Sequence, residues 1–158
     1  MRHTARRSAD TPPETIDYGL LTRLFGYHLK RAYSYLYRTF VAEFRELKLA
    51  PGQYSTLVLI SLNPGLSQIE LAAATGLDAS TIVPITERFE QLGWIRRMRR
   101  RDDRRLYTLR IAPSGQEVLD KAKPLIAARQ KRLAAILSPD ERRQLIDVLA
   151  RIVGDTKL

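Results

Sequence analysis

Apolar residues recur every three or four positions along most of the chain, which is the spacing that turns one face of an α-helix toward a core. The pattern predicts helices over residues 16–47, 51–62, 67–75, 79–92 and 115–137, and a last amphipathic helix that begins at 138–141. Pro51 is well placed in the first turn of the second helix. Pro124 lies inside the fifth helix, where we expect it to kink the helix or to split it.

Capping signals join the third and fourth helices into one motif. Ser67 and Glu70 have the spacing of a capping box, in which the serine oxygen accepts a backbone N–H and the glutamate reaches back to the cap. Gly76 ends the third helix, and Asp78 or Ser80 can cap the fourth. Two short helices that meet across a four-residue turn containing glycine are typical of a helix-turn-helix.

The residues after Gly93 change to a strand-like pattern. Segments 94–98 and 106–111 each predict a strand, and the polar run 99–104 between them predicts a hairpin loop. The fold class is therefore predicted to be mainly α with a small β-hairpin wing. In this arrangement a winged helix-turn-helix is flanked by helices from both ends of the chain.

The composition of the chain excludes several classes of protein. A hydrophobic fraction of 44% in 158 residues is enough for the core of one domain. Lys and Arg number 27 against 17 Asp and Glu, and the formal net charge of +10 favours a polyanionic partner, either nucleic acid or an anionic membrane surface. The absence of cysteine excludes disulfides and thiolate sites, and two histidines are too few for a histidine-built metal cluster. No cofactor or metal is predicted.

The N-terminal segment differs from the rest of the chain. Residues 1–15 are polar and lack periodicity, which predicts a flexible basic arm, and residues 16–158 are predicted to form a single domain. No apolar run approaches the ~18 residues that cross a bilayer, and no apolar segment follows the basic start of the chain. We therefore expect a cytoplasmic protein without membrane contact.

The segment 96–110 is the most basic part of the chain. It holds eight arginines against two aspartates, and so many guanidinium groups on one hairpin repel one another unless an anion offsets them. Duplex DNA supplies about one charge per 1.7 Å of axis, and an arginine at a hairpin tip can enter a narrow minor groove. A solvated charged loop is the alternative interpretation. The predicted DNA contacts on the wing are Arg97, Arg99, Arg100, Arg101, Asp103, Arg104 and Arg105.

The helix 79–92 has the two faces of a recognition helix. One face is apolar and is expected to turn to the core, with Ile82, Ile85, Phe89 and Leu92. On the other face, hydroxyls and an arginine can bond to bases or phosphates, while Val83 and Pro84 offer only apolar contact, for instance with a thymine methyl. An ordinary surface helix is the alternative. The predicted DNA contacts on the two helices of the motif are Ser67, Gln68, Ser80, Thr81, Pro84 and Arg88.

These motifs resemble the MarR family of bacterial transcription regulators. The resemblance rests on segments 63–72, 76–81, 90–95 and 103–105, and it extends without a gap from about Leu49 to Gly115. It implies a homodimer that is built by helices in 16–48 and 115–158. Two winged lobes, residues 50–113 of each copy, would bind a pseudo-palindromic operator in double-stranded DNA. In this family Asp103 and Arg105 match the Asp-x-Arg of the wing, which orients an arginine into the minor groove.

The resemblance also implies a small-molecule effector, often an aromatic acid, phenol or thioester, that releases the DNA. A stripe on the first long helix is one candidate wall of its pocket, with Tyr27, His28, Arg31, Tyr35 and Arg38. Aromatic rings can stack on the tyrosines while guanidinium groups bind a carboxylate or phosphate, as an aromatic coenzyme A thioester would require. Packing of the same tyrosines in a dimer interface is the alternative.

Three segments depart from the family pattern. Arg99-Arg100-Arg101 replaces the usual Pro-Asp-Pro at the wing tip, which should strengthen non-specific attraction to DNA. Val83-Pro84 replaces a frequent Thr-Arg pair, which suggests more reading of DNA shape. Ala112 replaces a common threonine before the helix that follows the wing, so Ser114 would have to provide any cap there.

The sequence thus predicts a dimeric, ligand-responsive repressor. Catalysis finds little support, because there is no glycine-rich phosphate loop and the carboxylate pairs Asp102/Asp103 and Asp140/Glu141 are explained by solvent or capping. Two other classes stay open at this point. One is an architectural DNA-binding protein that responds to no ligand, and the other is an RNA-associated winged helix.

Overall fold

The computed structural model describes residues 16–99 and 107–154, and its contacts divide the chain into two compact units, Met1–Pro51 and Gly52–Leu158. The first unit contains a short 3₁₀ helix, Gly19–Arg23, and helix α1, Phe25–Glu43. The single helix predicted over 16–47 is therefore wrong at both ends. Leu24 adopts an extended conformation between the two pieces, and a turn that ends at Lys48, with φ 53°, follows α1.

Local side-chain contacts accompany the break at the start of α1. The imidazole Nε2 of His28 lies 2.8 Å from the carbonyl oxygen of Thr22, and the carboxylate of Asp17 accepts the N–H of Gly19 at 2.8 Å. These contacts hold the 3₁₀ helix at the entrance to α1. The spacing of apolar residues carries no information about them.

The second unit holds the other elements. Its helices are α2 Pro51–Leu62, α3 Gln68–Thr75, α4 Ala79–Gln91, α5 Pro113–Ala134 and α6 Pro139–Val153, α2 beginning at the boundary between the units. Its strands are β1 Leu66–Ser67, β2 Ile95–Arg99 and β3 Tyr107–Ile111. The predicted fold class, mainly helical with a small hairpin wing, is confirmed.

The helix-turn-helix forms from the predicted caps. Ser67 Oγ accepts the N–H of Glu70 at 3.2 Å, and a carboxylate oxygen of Glu70 accepts the N–H of Ser67 at 2.8 Å, so the capping box is present. Gly76 ends α3 in the left-handed region, with φ 66°, which an L side chain rarely adopts. Asp78 stands at the N-cap of α4, but its side chain makes no capping hydrogen bond.

The sheet has three antiparallel strands in the order β1-β3-β2. The predicted hairpin of β2 and β3 is confirmed, with Ile95 opposite Ile111 and Arg99 opposite Tyr107. Strand β1 was not predicted. It pairs Leu66 with Leu109, so the residues that lead into α3 are part of the same sheet as the wing.

The core of the second unit lies among α2, α3, α4 and the sheet. Its larger fully buried side chains are Thr56, Leu57, Ile60, Leu71, Ile82, Thr86, Phe89 and Leu109, and Ile95 is almost as deeply buried. The rings of Phe89 and Trp94 lie 5.5 Å apart and close the core where α4 leads into β2. The expectation that Leu92 faces the core is wrong, because it follows the end of α4 and is 39% exposed.

Helix α5 begins against the base of the wing. Gly115 is buried, and a Cβ atom built on it would lie 2.2 Å from the carbonyl oxygen of Trp94. The hydroxyl of Ser114 donates to the carbonyl of Gly93 at 2.6 Å, so the expected helix cap from Ser114 is not formed.

Pro124 does not split α5. Pro124 has no N–H to donate to the carbonyl of Asp120. Both residues are exposed, so water can bond that carbonyl and the helix continues.

Helix α6 is amphipathic, yet none of its residues is buried. Ser138 and Glu141 form a second capping box at its start, and Gly154 ends it with φ 75°. Leu145, Ile146, Ile152 and Val153 are all exposed. Within residues 16–99 and 107–154, every helix is too short or too polar to span a lipid bilayer.

Candidate nucleic-acid interface

Helix α4 exposes the polar face that the sequence predicted for it. Ile82 and Phe89 are fully buried on the other face. The exposed face carries Ser80, Thr81, Pro84, Glu87, Arg88 and Gln91. Pro84 has no N–H to donate to the carbonyl of Ser80, but both residues are exposed, so solvent can bond that carbonyl and the helix continues to Gln91. DNA contacts from this face stay predictions.

The start of α3 is built into the motif more firmly than the sequence indicated. The side-chain oxygen of Ser67 already accepts a backbone N–H as the N-cap of α3. The amide of Gln68 donates to the hydroxyl of Thr86 at 2.6 Å, and that hydroxyl donates in turn to the carbonyl of Val83 at 2.9 Å. Thr86 is fully buried, so this chain of hydrogen bonds fixes α3 against α4. Gln68 therefore positions α4, a role that the sequence did not predict.

The two strands of the wing place like charges side by side. Arg96 and Arg110 are direct partners in the antiparallel register, and both are exposed. Like charges directly opposite each other destabilise a sheet, so this pair raises the positive potential of the face at a cost in stability. Neither residue was among the predicted DNA contacts. The pairing of Arg96 with Arg110 became visible only with the register of the two strands.

The other two arginines of β2 have contacts inside the protein. The guanidinium of Arg99 lies 5.9 Å from the ring centroid of Tyr107 and is exposed. Nε of Arg97 lies 2.9 Å from Oε2 of Glu90, in the last turn of α4. The remaining predicted wing contacts, Arg100, Arg101, Asp103, Arg104 and Arg105, lie outside the described residues.

Three of the predicted ligand-binding residues on α1 come together around the 3₁₀ helix. The guanidinium of Arg31 lies 5.9 Å from the ring centroid of Tyr18 and 5.7 Å from that of Tyr27. The rings of Tyr27 and His28 meet edge to face at 5.7 Å. Tyr35 and Arg38 are exposed further along α1. Tyr18 was not predicted as part of this site; it lies before the break at Leu24, and its approach to Arg31 depends on the conformation of the segment before α1.

A cavity of about 210 Å³ opens between α2 and α5. Its lining is mixed apolar and polar and consists of Tyr54, Val58, Ser61, Leu62, Gln116, Leu119 and Lys123. An apolar cavity of roughly 150 Å³ takes up benzene, so this volume suits one substituted ring. The residues of this cavity are scattered over two helices and form no motif, so the sequence did not predict it.

One wall of this cavity is a chain of polar groups. Ser61 Oγ donates to Oε1 of Gln116 at 3.0 Å, and Nε2 of Gln116 lies 3.2 Å from Oδ1 of Asp120. The hydrogen bond that Lys123 donates to the same oxygen, at 2.7 Å, lowers the pKa of Asp120 and raises the pKa of Lys123. Lys123 and Asp120 therefore form an ion pair in the wall of the cavity.

The helix-turn-helix, its exposed α4 face and the basic hairpin beside it define a winged helix-turn-helix protein. Comparison with known proteins agrees. The MarR family model matches residues 49–107. A protein assigned as the transcriptional regulator for the hcr operon of Thauera aromatica is 32% identical over 153 residues, which cover 96% of this chain and 92% of that protein.

Two solved structures of the repressor CouR are also similar. One, bound to a 23-mer DNA duplex, has a TM-score of 0.82 and 34% identity and covers 87% of this chain and 98% of that one. The other, bound to p-coumaroyl-CoA, has a TM-score of 0.81 and 31% identity and covers 90% and 99%. The chain belongs to the MarR family and is a transcriptional regulator of that type. The resemblance stated from the sequence is confirmed.

Proposed function

We propose that this regulator is a repressor that binds a pseudo-palindromic operator in duplex DNA as a homodimer and that a small aromatic effector releases it. The observation that carries the DNA part is the exposed Arg96/Arg110 pair of the wing, together with the exposed polar face of α4. A sheet that sets two arginines opposite each other is stabilised by a bound polyanion. The likeness to CouR bound to a DNA duplex supports the same partner.

The exposed apolar side chains of α6 support the homodimer. A helix with a strong apolar face and no buried residue needs a partner surface, and a second copy supplies one. Two copies would place their α4 helices about one DNA turn, ~34 Å, apart in successive major grooves. A ligand that favours another separation would lower DNA affinity by the coupling free energy, typically ~1–3 kcal/mol.

The proposed effector is an aromatic acid or its coenzyme A thioester. The likeness to CouR bound to p-coumaroyl-CoA supports this chemistry. The cavity between α2 and α5 offers room for one ring, and an anionic group there would compete with Asp120 for Lys123. The α1 residues Tyr27, His28, Arg31, Tyr35 and Arg38 are a second candidate place, suited to rings and phosphates.

A salt titration tests the DNA part. Binding to the duplex upstream of the chain's own gene should weaken linearly with the logarithm of salt concentration, and Arg96→Gln and Arg105→Ala should each reduce the slope by about 0.9. Footprinting should show one protected palindrome, and light scattering should show a dimer. If the protein instead covers the duplex without a preferred site, the result would favour an architectural DNA-binding protein. Tighter binding to structured RNA in competition would favour the RNA-associated alternative.

Thermal shifts test the ligand part. We expect p-coumarate or p-coumaroyl-CoA to raise the melting temperature and to release the duplex, with coenzyme A alone as the control. Lys123→Met should abolish the shift if the cavity binds the ligand, whereas Arg31→Gln should abolish it if α1 does. If no aromatic acid or thioester changes either melting or DNA binding, the effector proposal is wrong.

A further inference from the structure

An ion pair joins the last turn of α4 to the middle of β2. Nε of Arg97 lies 2.9 Å from Oε2 of Glu90, and Gly93, with φ 70°, reverses the chain between them. The register sets Arg97 opposite the fully buried Leu109, so the stem of Arg97 lies on the core face of the sheet. A carboxylate in the last turn of a helix is unfavourable to the helix dipole, and the guanidinium offsets that effect.

Arg97 is poorly placed to contact a phosphate. Its side chain is 23% exposed, and among the described residues neither Nε nor Nη2, which are both buried, has an aligned hydrogen-bond acceptor. Burying guanidinium nitrogens in this way is unfavourable, and the charge of the adjacent carboxylate offsets part of the cost. Arg96 and Arg99, on the same strand, are exposed. To reach DNA with its buried nitrogens, Arg97 would have to leave Glu90.

We propose that Glu90 and Arg97 are a positioning pair that holds the wing against the end of α4 and so fixes the angle between the two DNA-facing surfaces. The start of β2 is already anchored, because Trp94 donates its N–H to the carbonyl of Phe89 at 2.8 Å. The pair extends that anchorage three residues further along the strand. Arg97 is then not a phosphate contact. This inference rests on the proposed DNA binding.

The sign of the effect of Glu90→Gln separates this role from a direct contact. The substitution removes a negative charge that repels DNA. If Arg97 were a phosphate ligand restrained by Glu90, the variant would bind more tightly and the salt slope would rise by about one. A positioning pair gives the opposite result. We expect binding about threefold to thirtyfold weaker, with an unchanged slope.

Arg97→Gln and Arg96→Gln form the matched comparison on neighbouring residues of β2. Both lose one positive charge. Arg96→Gln should reduce the slope by about 0.9, whereas Arg97→Gln should weaken binding with the slope of the wild type. A slope reduced equally by both substitutions overturns the proposal. If Arg97→Gln fails to fold, the direction of the Glu90→Gln effect decides alone.

Unfolding in urea, followed by the fluorescence of Trp94, tests the pair without DNA. The effects of Glu90→Gln and Arg97→Gln on the unfolding midpoint should be less than additive in the double variant, because each removes the same contact. Additive effects would mean that the pair does not join α4 to β2. A wild-type protein that ignores duplex DNA contradicts the proposed function, and this cycle still decides on the pair.

Discussion

Alanine at Gly115 should destabilise the protein, although alanine is the better helix former. The new Cβ atom would lie 2.2 Å from the carbonyl oxygen of Trp94, 3.0 Å from its carbonyl carbon and 3.1 Å from Cγ1 of Ile111. The nearest atoms belong to the backbone, so the strain cannot be relieved by a rotamer change. The same carbonyl accepts the N–H of Ala112 at 2.8 Å, and any shift of it weakens the base of the wing.

The magnitude follows from three contributions. Overpacking costs about 1–3 kcal/mol, and the weakened hydrogen bond about 1 kcal/mol, while helix propensity returns about 1 kcal/mol. The central expectation is a net loss of about 2 kcal/mol, or about 4–8 °C in Tm for a chain of this size. Thermal and urea unfolding at one fixed protein concentration, followed by circular dichroism and by the single tryptophan, measure it.

Gly26→Ala is the matched control. Gly26 also lies in a helix, near the start of α1, and a Cβ atom there would meet no atom within 4 Å. The substitution should be neutral or stabilising by up to about 1 kcal/mol. The reasoning is refuted if Gly115→Ala is as stable as the wild type while Gly26→Ala behaves as expected.

Three further predictions concern caps, the motif and the operator. Hydrogen bonds from the side chain and backbone of Ser138 lower the pKa of Glu141. The ionised cap therefore stabilises α6 fully above the ordinary pKa of a glutamate, and this stabilisation is lost as the pH falls through the lowered value. Melting temperatures measured from neutral pH to about 3 should show this loss in the wild type and not in Glu141→Gln. Thr86→Val leaves the amide of Gln68 without its acceptor and should cost about 1–3 kcal/mol in urea unfolding, whereas Thr86→Ser should keep most of the stability. Replacing operator thymines by uracil should weaken binding by up to about fourfold for each methyl group that contacts Val83 or Pro84. In anisotropy titrations, Pro84→Ser should remove part of this difference between the two duplexes. Equal affinity of the wild type for both duplexes would exclude the apolar contact.

The elements that the sequence predicted well are those with local signals. Helix α2 occupies the predicted range, because Pro51 begins it and Asn63-Pro64-Gly65 follows it. The two helices of the motif formed where Ser67 and Gly76 indicated. Capping and left-handed turns depend on a few neighbouring residues, so a single sequence contains the information.

The features that escaped prediction depend on how the helices and strands pack together. Strand β1 has two residues, and its partners in β3 are about forty positions away, so no periodicity could indicate it. The pairing of Glu90 with Arg97 and of Gln68 with Thr86 required the packed positions of α4 and its neighbours. Arg97 consequently looked like one more charge in a basic hairpin, although the fold turns it toward the core.

The place of β1 determines how this molecule can be divided. Leu66 and Ser67 are at once the outer strand of the wing sheet and the entry to α3, and the N–H of Gly65 donates to the carbonyl of Leu109 at 3.0 Å. A truncated fragment that stopped before residue 107 would strip these backbone groups of their partners. Grafting the recognition helix into a chimaera therefore requires the whole stretch from the turn before β1 to the end of β3.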